Sequence, residues 1–124
     1  MIKFSESMTH YTGSCHCGRV RYTADLDLTK PVFECNCSHC SRKGFLLSFI
    51  PMSSFELLSG DADLTEYRFN KHVIAHRFCR VCGVQCFGEG KGPDGTETRA
   101  INVRTIEDLD LSTLTRQVID GKAY

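Results

Sequence analysis

Three of the chain's eight cysteines fall in one short stretch, Cys35-Asn36-Cys37-Ser38-His39-Cys40. Two further clusters flank it: Cys15-His16-Cys17 towards the N-terminus, and Cys79-Arg80-Val81-Cys82, followed by Cys86, towards the C-terminus. Zinc prefers four soft or borderline ligands at tetrahedral corners, and two cysteines separated by one or two residues can supply two of them. Each cluster is therefore half of a metal site or more, and we expect metal to organise the fold.

The spacing leaves open which clusters meet. In one arrangement the first and last clusters form a closed four-sulfur site of Cys15, Cys17, Cys79 and Cys82. The middle cluster is then a separate three-sulfur site of Cys35, Cys37 and Cys40. In the other arrangement the first two clusters combine locally and the last stands apart. Loop-closure entropy grows only logarithmically with loop length, so neither arrangement is excluded.

Composition limits the class of protein. A chain of 124 residues with 41% hydrophobic residues suits one domain, expected over 1–124 with its core from about residue 10. Fifteen basic and fifteen acidic residues balance, so no net positive charge attracts nucleic acid or an anionic membrane. The N-terminus lacks the apolar core of a signal peptide, and we expect a cytoplasmic protein. Thiol buffers there keep cysteines reduced, which favours metal binding over the alternative of a secreted disulfide framework.

Short segments rich in β-branched and aromatic residues predict a mainly β fold, a single small domain of short antiparallel strands. In the first segment Val20, Tyr22 and Ala24 alternate with polar residues, as in a strand with one buried face. The predicted strands are 19–24, 46–50, 64–69, 73–78, 84–87 and 98–103. A turn or two of helix is predicted over 38–43 and over 53–58. The glycine-rich segment 88–95 lacks the sequence of a phosphate-binding loop and is predicted to be a mobile connection.

The motifs also follow a particular order. C-x-C is followed by C-x-C-x2-C and then by F-C-x2-C-G, with Gly13-Ser14 before the first cluster and Gly83-Val84-Gln85 after the last. The segments GEGKGPDG at 88–95, INVR at 101–104 and DGK at 120–122 extend the pattern. From about Gly13 onward, the chain resembles the glutathione-dependent formaldehyde-activating enzyme family, which also includes centromere protein V.

The resemblance implies the first of the two arrangements. It implies a structural zinc at Cys15, Cys17, Cys79 and Cys82, and a second, catalytic zinc at Cys35, Cys37 and Cys40. It also implies a tent-like arrangement of sheets stapled at the closed zinc. The expected cofactor is therefore zinc, two ions per chain, and the expected substrates are the small molecules glutathione and formaldehyde.

A zinc ion with three protein ligands keeps a fourth position open, which suits an incoming thiol. We expect glutathione sulfur to take that position and to attack formaldehyde, giving S-hydroxymethylglutathione, as in a carbon–sulfur lyase acting in reverse. Arg42 and Lys43 directly follow Cys40 and are candidates to bind the carboxylates of glutathione; a solvated surface pair is the alternative. His39 is a candidate to relay a proton or to fill the fourth position itself, and an ordinary loop histidine is the alternative.

Other cysteine and histidine residues allow further alternatives. Cys86 stands where we expect the family to carry a residue that binds no metal. It is either a buried small hydrophobic residue or a fourth ligand that closes the second site. His72 and His76 lie four residues apart on a predicted strand, about 13 Å from each other, and should not share a metal. His16 is expected to point to solvent.

Two other classes of function fit the same residues. The first is a non-catalytic zinc-binding module, which would act as a glutathione carrier or as a protein or nucleic-acid interaction domain. Basic residues near the metal motifs allow this, although no aromatic stacking motif accompanies them: Arg19, Arg21, Arg42, Lys43, Arg77 and Arg80. The second is an iron or iron–sulfur redox protein, since the same thiolates bind iron. No apolar stretch is long enough to span a membrane.

Overall fold

A computed structural model of the protein describes residues 8–68, 74–92 and 94–120. The described strands are β1 (Thr9–Ser14), β2 (Arg21–Leu26), β3 (Val32–Cys35), β4 (Leu47–Pro51), β5 (Phe55–Ser59), β6 (Leu64–Tyr67), β7 (Ala75–Cys79), β8 (Phe87–Lys91), β9 (Glu97–Asn102) and β10 (Arg116–Ile119). The helix α1 (Ser38–Lys43) lies between β3 and β4. Short 3-10 turns are formed by Met52–Ser54, Asp61–Asp63, Val103–Thr105 and Leu111–Thr113. The predicted mainly β fold is confirmed.

The strands form two sheets. The smaller has the order β1-β2-β5, and the larger has the order β10-β3-β4-β9-β8-β7-β6. Neighbouring strands are antiparallel except β10, which pairs with β3 in parallel. After β9 the chain passes through two 3-10 turns to the far edge of the larger sheet. This long crossover lets β10 run in the same direction as β3.

The core lies between the two sheets, and a row of aromatic rings crosses its mostly aliphatic side chains. Tyr22 of β2 stacks on Phe55 of β5, with ring centroids 5.7 Å apart. Phe55 in turn packs 4.7 Å from Phe87 of the larger sheet. The alternation predicted for the first strand is present, because Val20, Tyr22 and Ala24 are buried whereas Arg21 is exposed. Burial of this one face fixes the register of the smaller sheet.

Two predictions about local structure are wrong. Of residues 53–58, only the first two are helical, in the 3-10 turn Met52–Ser54. From Phe55 the segment is strand β5, because Phe55 and Leu57 pack on the core while Glu56 and Leu58 face outward. The predicted strand 84–87 instead begins at Phe87, and β8 continues through Gly88 and Gly90 to Lys91. These glycines pair with Ala100 and Thr98 of β9, so the first half of the predicted mobile connection is part of the sheet.

The other predicted segments lie close to observed strands. Strand β4 contains the prediction over 46–50 except its first residue, and strand β9 contains that over 98–103 except its last residue, which begins a 3-10 turn. Strands β6 and β7 account for the described parts of 64–69 and 73–78; residues 69–73 lie outside the described residues. The sequence did not predict β1, β3 or β10. Within the ranges that the structure describes, the helices are all too short or too polar to cross a bilayer.

Candidate functional site

Four cysteine sulfurs meet where the smaller and larger sheets approach each other. The Sγ atoms of Cys15, Cys17, Cys79 and Cys82 all lie within 4.8 Å of one another. Cys17 Sγ is 3.6 Å from Cys15 Sγ and 3.6 Å from Cys79 Sγ. Tetrahedral zinc with Zn–S bonds of about 2.3 Å requires S···S separations of about 3.8 Å. This four-thiol cluster therefore has the donor set and the spacing of a closed zinc site, and it joins the first and last cysteine motifs.

Tight turns hold these sulfurs in place. The turn after β1 directs the Val20 N–H to Cys15 Sγ at 3.4 Å, and the turn after β7 directs the Cys82 N–H to Cys79 Sγ at 3.5 Å. Burial disfavours the Cys82 thiolate, but the N–H groups of Val84 and Cys17 and the neighbouring thiols outweigh burial and lower its pKa to about 6. Since the thiolate is the form that binds metal, the backbone favours a cation at Cys82. The Arg19 N–H acts in the same direction at Cys17, but burial and the neighbouring thiols raise the pKa of Cys17 to about 11.

Three further sulfurs meet at the start of α1. Cys35 ends β3, Cys37 is the N-cap of α1, and Cys40 lies in its first turn. Their Sγ atoms lie within 4.8 Å of one another. The Cys40 N–H donates to Cys37 Sγ at 3.3 Å, and the helix ends at Gly44 in the left-handed region, with φ of 69°. The predicted helix over 38–43 is confirmed, and its capping places two of the three thiols side by side.

The surroundings of this three-thiol cluster are apolar. Cys40 is buried with Phe45 and Leu47, and Ala100 packs against them. Burial raises the pKa of Cys35 and Cys40. Burial also acts against the Cys37 thiolate, but the Cys40 N–H and the neighbouring thiols lower the pKa of Cys37 overall. Among the described residues, no fourth cysteine, histidine or carboxylate offers an atom within 4.8 Å of all three sulfurs. The cluster thus fits a zinc ion with three protein ligands.

Cys86 belongs to the core. It is 1% exposed and lies in the same hydrophobic cluster as Cys15, Cys79 and Phe87. Burial raises the pKa of its thiol to about 12. The three-thiol cluster packs in a different group of apolar residues. Cys86 therefore behaves as a buried hydrophobic side chain and does not close the second site in this structure.

A pocket of about 410 Å³ lies against another face of α1. The described residues that line it are three from α1 and two from the larger sheet: His39, Arg42, Lys43, Tyr67 and Phe78. The three helical residues share one face of α1, since they are spaced by three and four positions. No cysteine lines the pocket. The predicted substrate-binding residues are thus brought together, but on a face of the helix next to the one that carries Cys37 and Cys40.

The two cations of this pocket, Arg42 and Lys43, make contacts with a backbone carbonyl and with an aromatic ring. Arg42 Nη1 donates to the Ser38 carbonyl oxygen at 2.7 Å, and Lys43 Nζ lies 5.1 Å from the centroid of the Phe78 ring. Within the part of the chain that the structure describes, neither residue forms an ion pair. Both are therefore available to an anionic ligand.

The match to known proteins agrees with this geometry. Residues 10–118 match the family described as glutathione-dependent formaldehyde-activating enzyme. The chain belongs to this family. The crystal structure of a Rhodobacter sphaeroides protein is similar, with a TM-score of 0.74 and 26% sequence identity over 86% of this chain and 99% of that one. Both cysteine clusters of this family member lie inside the matched range.

This family member also has a stack of rings that the sequence did not predict. The His39 ring lies 4.1 Å from that of His76 and 5.6 Å from that of Tyr67, measured between centroids. His76 is buried, and a hydrogen bond of 3.2 Å joins its Nδ1 to Gln85 Nε2. Burial lowers the pKa of His39, as does Lys43. Burial and the positive charge of neighbouring groups lower the pKa of His76 to about 4, so this ring is neutral at neutral pH.

Sequence reasoning missed His76, Gln85, Tyr67 and Phe78 as neighbours of the site. The paired strands β6 and β7 bring Tyr67 opposite His76, and only the observed register reveals that contact. His16 is exposed, as predicted. The prediction about His72 lies outside the described residues.

Proposed function

We propose that this protein is a zinc enzyme that condenses glutathione with formaldehyde to S-hydroxymethylglutathione, a carbon–sulfur lyase acting in reverse. The observation that carries the proposal is the three-thiol cluster of Cys35, Cys37 and Cys40, with no fourth protein ligand among the described residues. Membership of a family of formaldehyde-activating enzymes supports it. We assign a structural zinc to the four-thiol cluster and a catalytic zinc to the three-thiol cluster.

The three-thiol cluster suits thiol chemistry better than water activation. Cys35, Cys37 and Cys40 would hold a zinc ion, which would offer a fourth coordination position and favour the thiolate form of an incoming thiol. The apolar side chains of Phe45 and Leu47 beside Cys40 exclude water from one side of the site. In the overall addition, the glutathione S–H bond breaks and an S–C bond forms at the carbonyl carbon. The proton ends on the former carbonyl oxygen, so atoms and charge balance.

Three residues of α1 are assigned to substrate. Arg42 and Lys43 bind the carboxylates of glutathione, since neither is paired with an acid among the described residues. His39 lies between Cys37 and Cys40 in sequence and lines the pocket, and we assign it to orienting the new hydroxyl group. This arrangement requires glutathione to pass around α1, from the sulfurs on one face to the cations on the next.

The predicted cytoplasmic setting, in which glutathione is abundant, stays a prediction.

The test compares catalysed exchange with the spontaneous reaction. Glutathione and formaldehyde also combine without an enzyme, so the rate is best measured at equilibrium by NMR exchange between free and bound formaldehyde. The zinc-loaded protein should accelerate exchange, and Cys37→Ala should return it to the uncatalysed rate. Cys86→Ala is the matched control, since that thiol lies in the core, and it should keep the acceleration. No acceleration by the unmodified protein, with glutathione still bound, would support the non-catalytic glutathione carrier instead.

A further inference from the structure

The pocket against α1 is more apolar than the substrates assigned above. Phe78 and Tyr67 form one side of it, and His39 adds a third ring. Tyr67 lies on an edge strand of the larger sheet and is 48% exposed, which leaves much of its ring facing the pocket or solvent. Glutathione contains no ring, and formaldehyde contributes a single carbon atom. Neither glutathione nor formaldehyde therefore has a ring that could pack against the aromatic side of the pocket.

The pocket and the three-thiol cluster are connected through the neighbouring rings of His39 and Phe45. Phe45 packs in the same apolar cluster as Cys40, and its ring centroid lies 5.9 Å from that of His39. His39 in turn lines the pocket and stacks with Tyr67 at 5.6 Å. A group attached to a carbon atom next to the cysteine sulfurs can therefore extend past His39 and Phe45 towards Tyr67. The volume of about 410 Å³ lies within the usual range for small-molecule sites.

Cations and rings line different sides of the pocket, and the two sides meet where Lys43 Nζ lies 5.1 Å from the centroid of the Phe78 ring. Arg42 and Lys43 provide cations on the helical side, whereas Tyr67 and Phe78 provide rings on the sheet side. Within ranges 8–68, 74–92 and 94–120, no acidic residue lines the pocket. This distribution matches an adduct with two parts: the carboxylates of glutathione on the helix, and a flat apolar group on the rings.

We propose that the aldehyde component of the substrate carries a flat apolar group, aryl or conjugated alkenyl, and that this group binds against Tyr67 and Phe78. The inference rests on the proposed glutathione chemistry and extends its substrate class beyond formaldehyde. The reaction is the same addition: the S–C bond forms, the C=O π bond breaks, and the thiol proton ends on oxygen. No oxidant or reductant is required.

Two stable thioethers of glutathione test the proposal as a matched pair. S-benzylglutathione mimics the adduct of an aryl aldehyde, and S-methylglutathione mimics that of formaldehyde. Titration calorimetry on the zinc-loaded chain should give a Kd for the benzyl compound that is roughly tenfold to a hundredfold lower. Tyr67→Ala should remove most of this preference. Phe49→Ala is the control, because Phe49 is 50% exposed on the same sheet but does not line the pocket.

The outcomes separate this inference from the function on which it rests. Equal Kd values for the two thioethers, or a preference that survives Tyr67→Ala, would overturn the aryl-binding pocket while leaving the glutathione chemistry in place. A preference that Phe49→Ala removes equally would also overturn it. If neither thioether nor glutathione itself binds, the proposed function fails as well.

Discussion

At the scale of single residues, Gly13 shows how closely the smaller sheet is packed. Gly13 faces Tyr22 across the β1–β2 pair, and a methyl group at Gly13 would overlap the buried Tyr22 ring. The ring cannot easily move aside, because it is fully buried and its hydroxyl is 2.7 Å from Thr105 Oγ1. Gly13→Ala should therefore lower the free energy of unfolding by about 2 to 3 kcal/mol. Gly90→Ala should change it by less than about 1 kcal/mol, since its new methyl lies at ordinary contact distance from Ile74 Cγ1, 3.7 Å, and from Thr98 Oγ1, 4.0 Å. Urea unfolding checks both, and equal losses would contradict this account of the packing.

Also at the residue scale, His76 should remain neutral in mild acid. Its surroundings are His39, Lys43 and Gln85, and burial comes first among the causes that lower its pKa to about 4. Because the pKa is lower in the folded state, the unfolded chain binds the proton more readily as the pH falls below about 6.5. The folded state should lose about 2 to 3 kcal/mol from this residue between pH 6.5 and pH 4. NMR of the histidine rings should find His76 unprotonated at pH 5.5; a midpoint near 6.5 would show that the ring is solvated.

At the scale of elements, an ion-pair network ties together strands β7, β8 and β9. Glu89 accepts from Arg77 Nη1 at 3.0 Å and from Arg99 Nη2 at 2.9 Å, and Arg99 is 8% exposed. Glu89→Gln should lower the free energy of unfolding by about 1 to 2 kcal/mol, because it removes the carboxylate that Arg77 and Arg99 share and leaves them paired only with the more exposed carboxylates of Asp61 at 3.7 Å and Glu97 at 3.3 Å. The exposed pair of Glu34 and Arg116 provides the control, and Glu34→Gln should cost under about 1 kcal/mol. Thermal unfolding of the two variants measures the loss of stability in each. Similar losses of stability would mean that water solvates the charges of the network.

The same elements show what the sequence can predict and what it cannot. The strand at 19–24 and the helix at 38–43 were predictable, because burial of one face and local capping act over a few residues. The strand that begins in segment 53–58 could not be predicted, since only contact with the core distinguishes a strand from a short helix in that segment. The parallel pairing of β10 with β3 depends on a crossover of the chain, which local patterns do not specify. The predicted single domain over 1–124 stays a prediction.

At the scale of the whole molecule, the proposed function gives the two cysteine clusters different roles. Local spacing revealed both clusters, but only the family resemblance indicated how they pair, because the contact between Cys17 and Cys79 spans 62 positions. The four-thiol cluster joins the smaller sheet to the end of β7 and can stabilise the fold. The three-thiol cluster adds little to that connection, since its members lie within one short segment. In the proposed function, a zinc ion held by these three thiols would keep a fourth position open, which suits a reaction better than a structural role.

Zinc-edge X-ray absorption of the purified, zinc-loaded protein, with and without glutathione, tests the central claim most directly. Four sulfurs at one zinc and three at the other give an average of about 3.5 sulfur neighbours per zinc. Glutathione should raise that average to about 4, because its sulfur takes the open position beside Cys35, Cys37 and Cys40. An average that stays at about 3.5 after saturation with glutathione, or a single zinc per chain, would contradict the account.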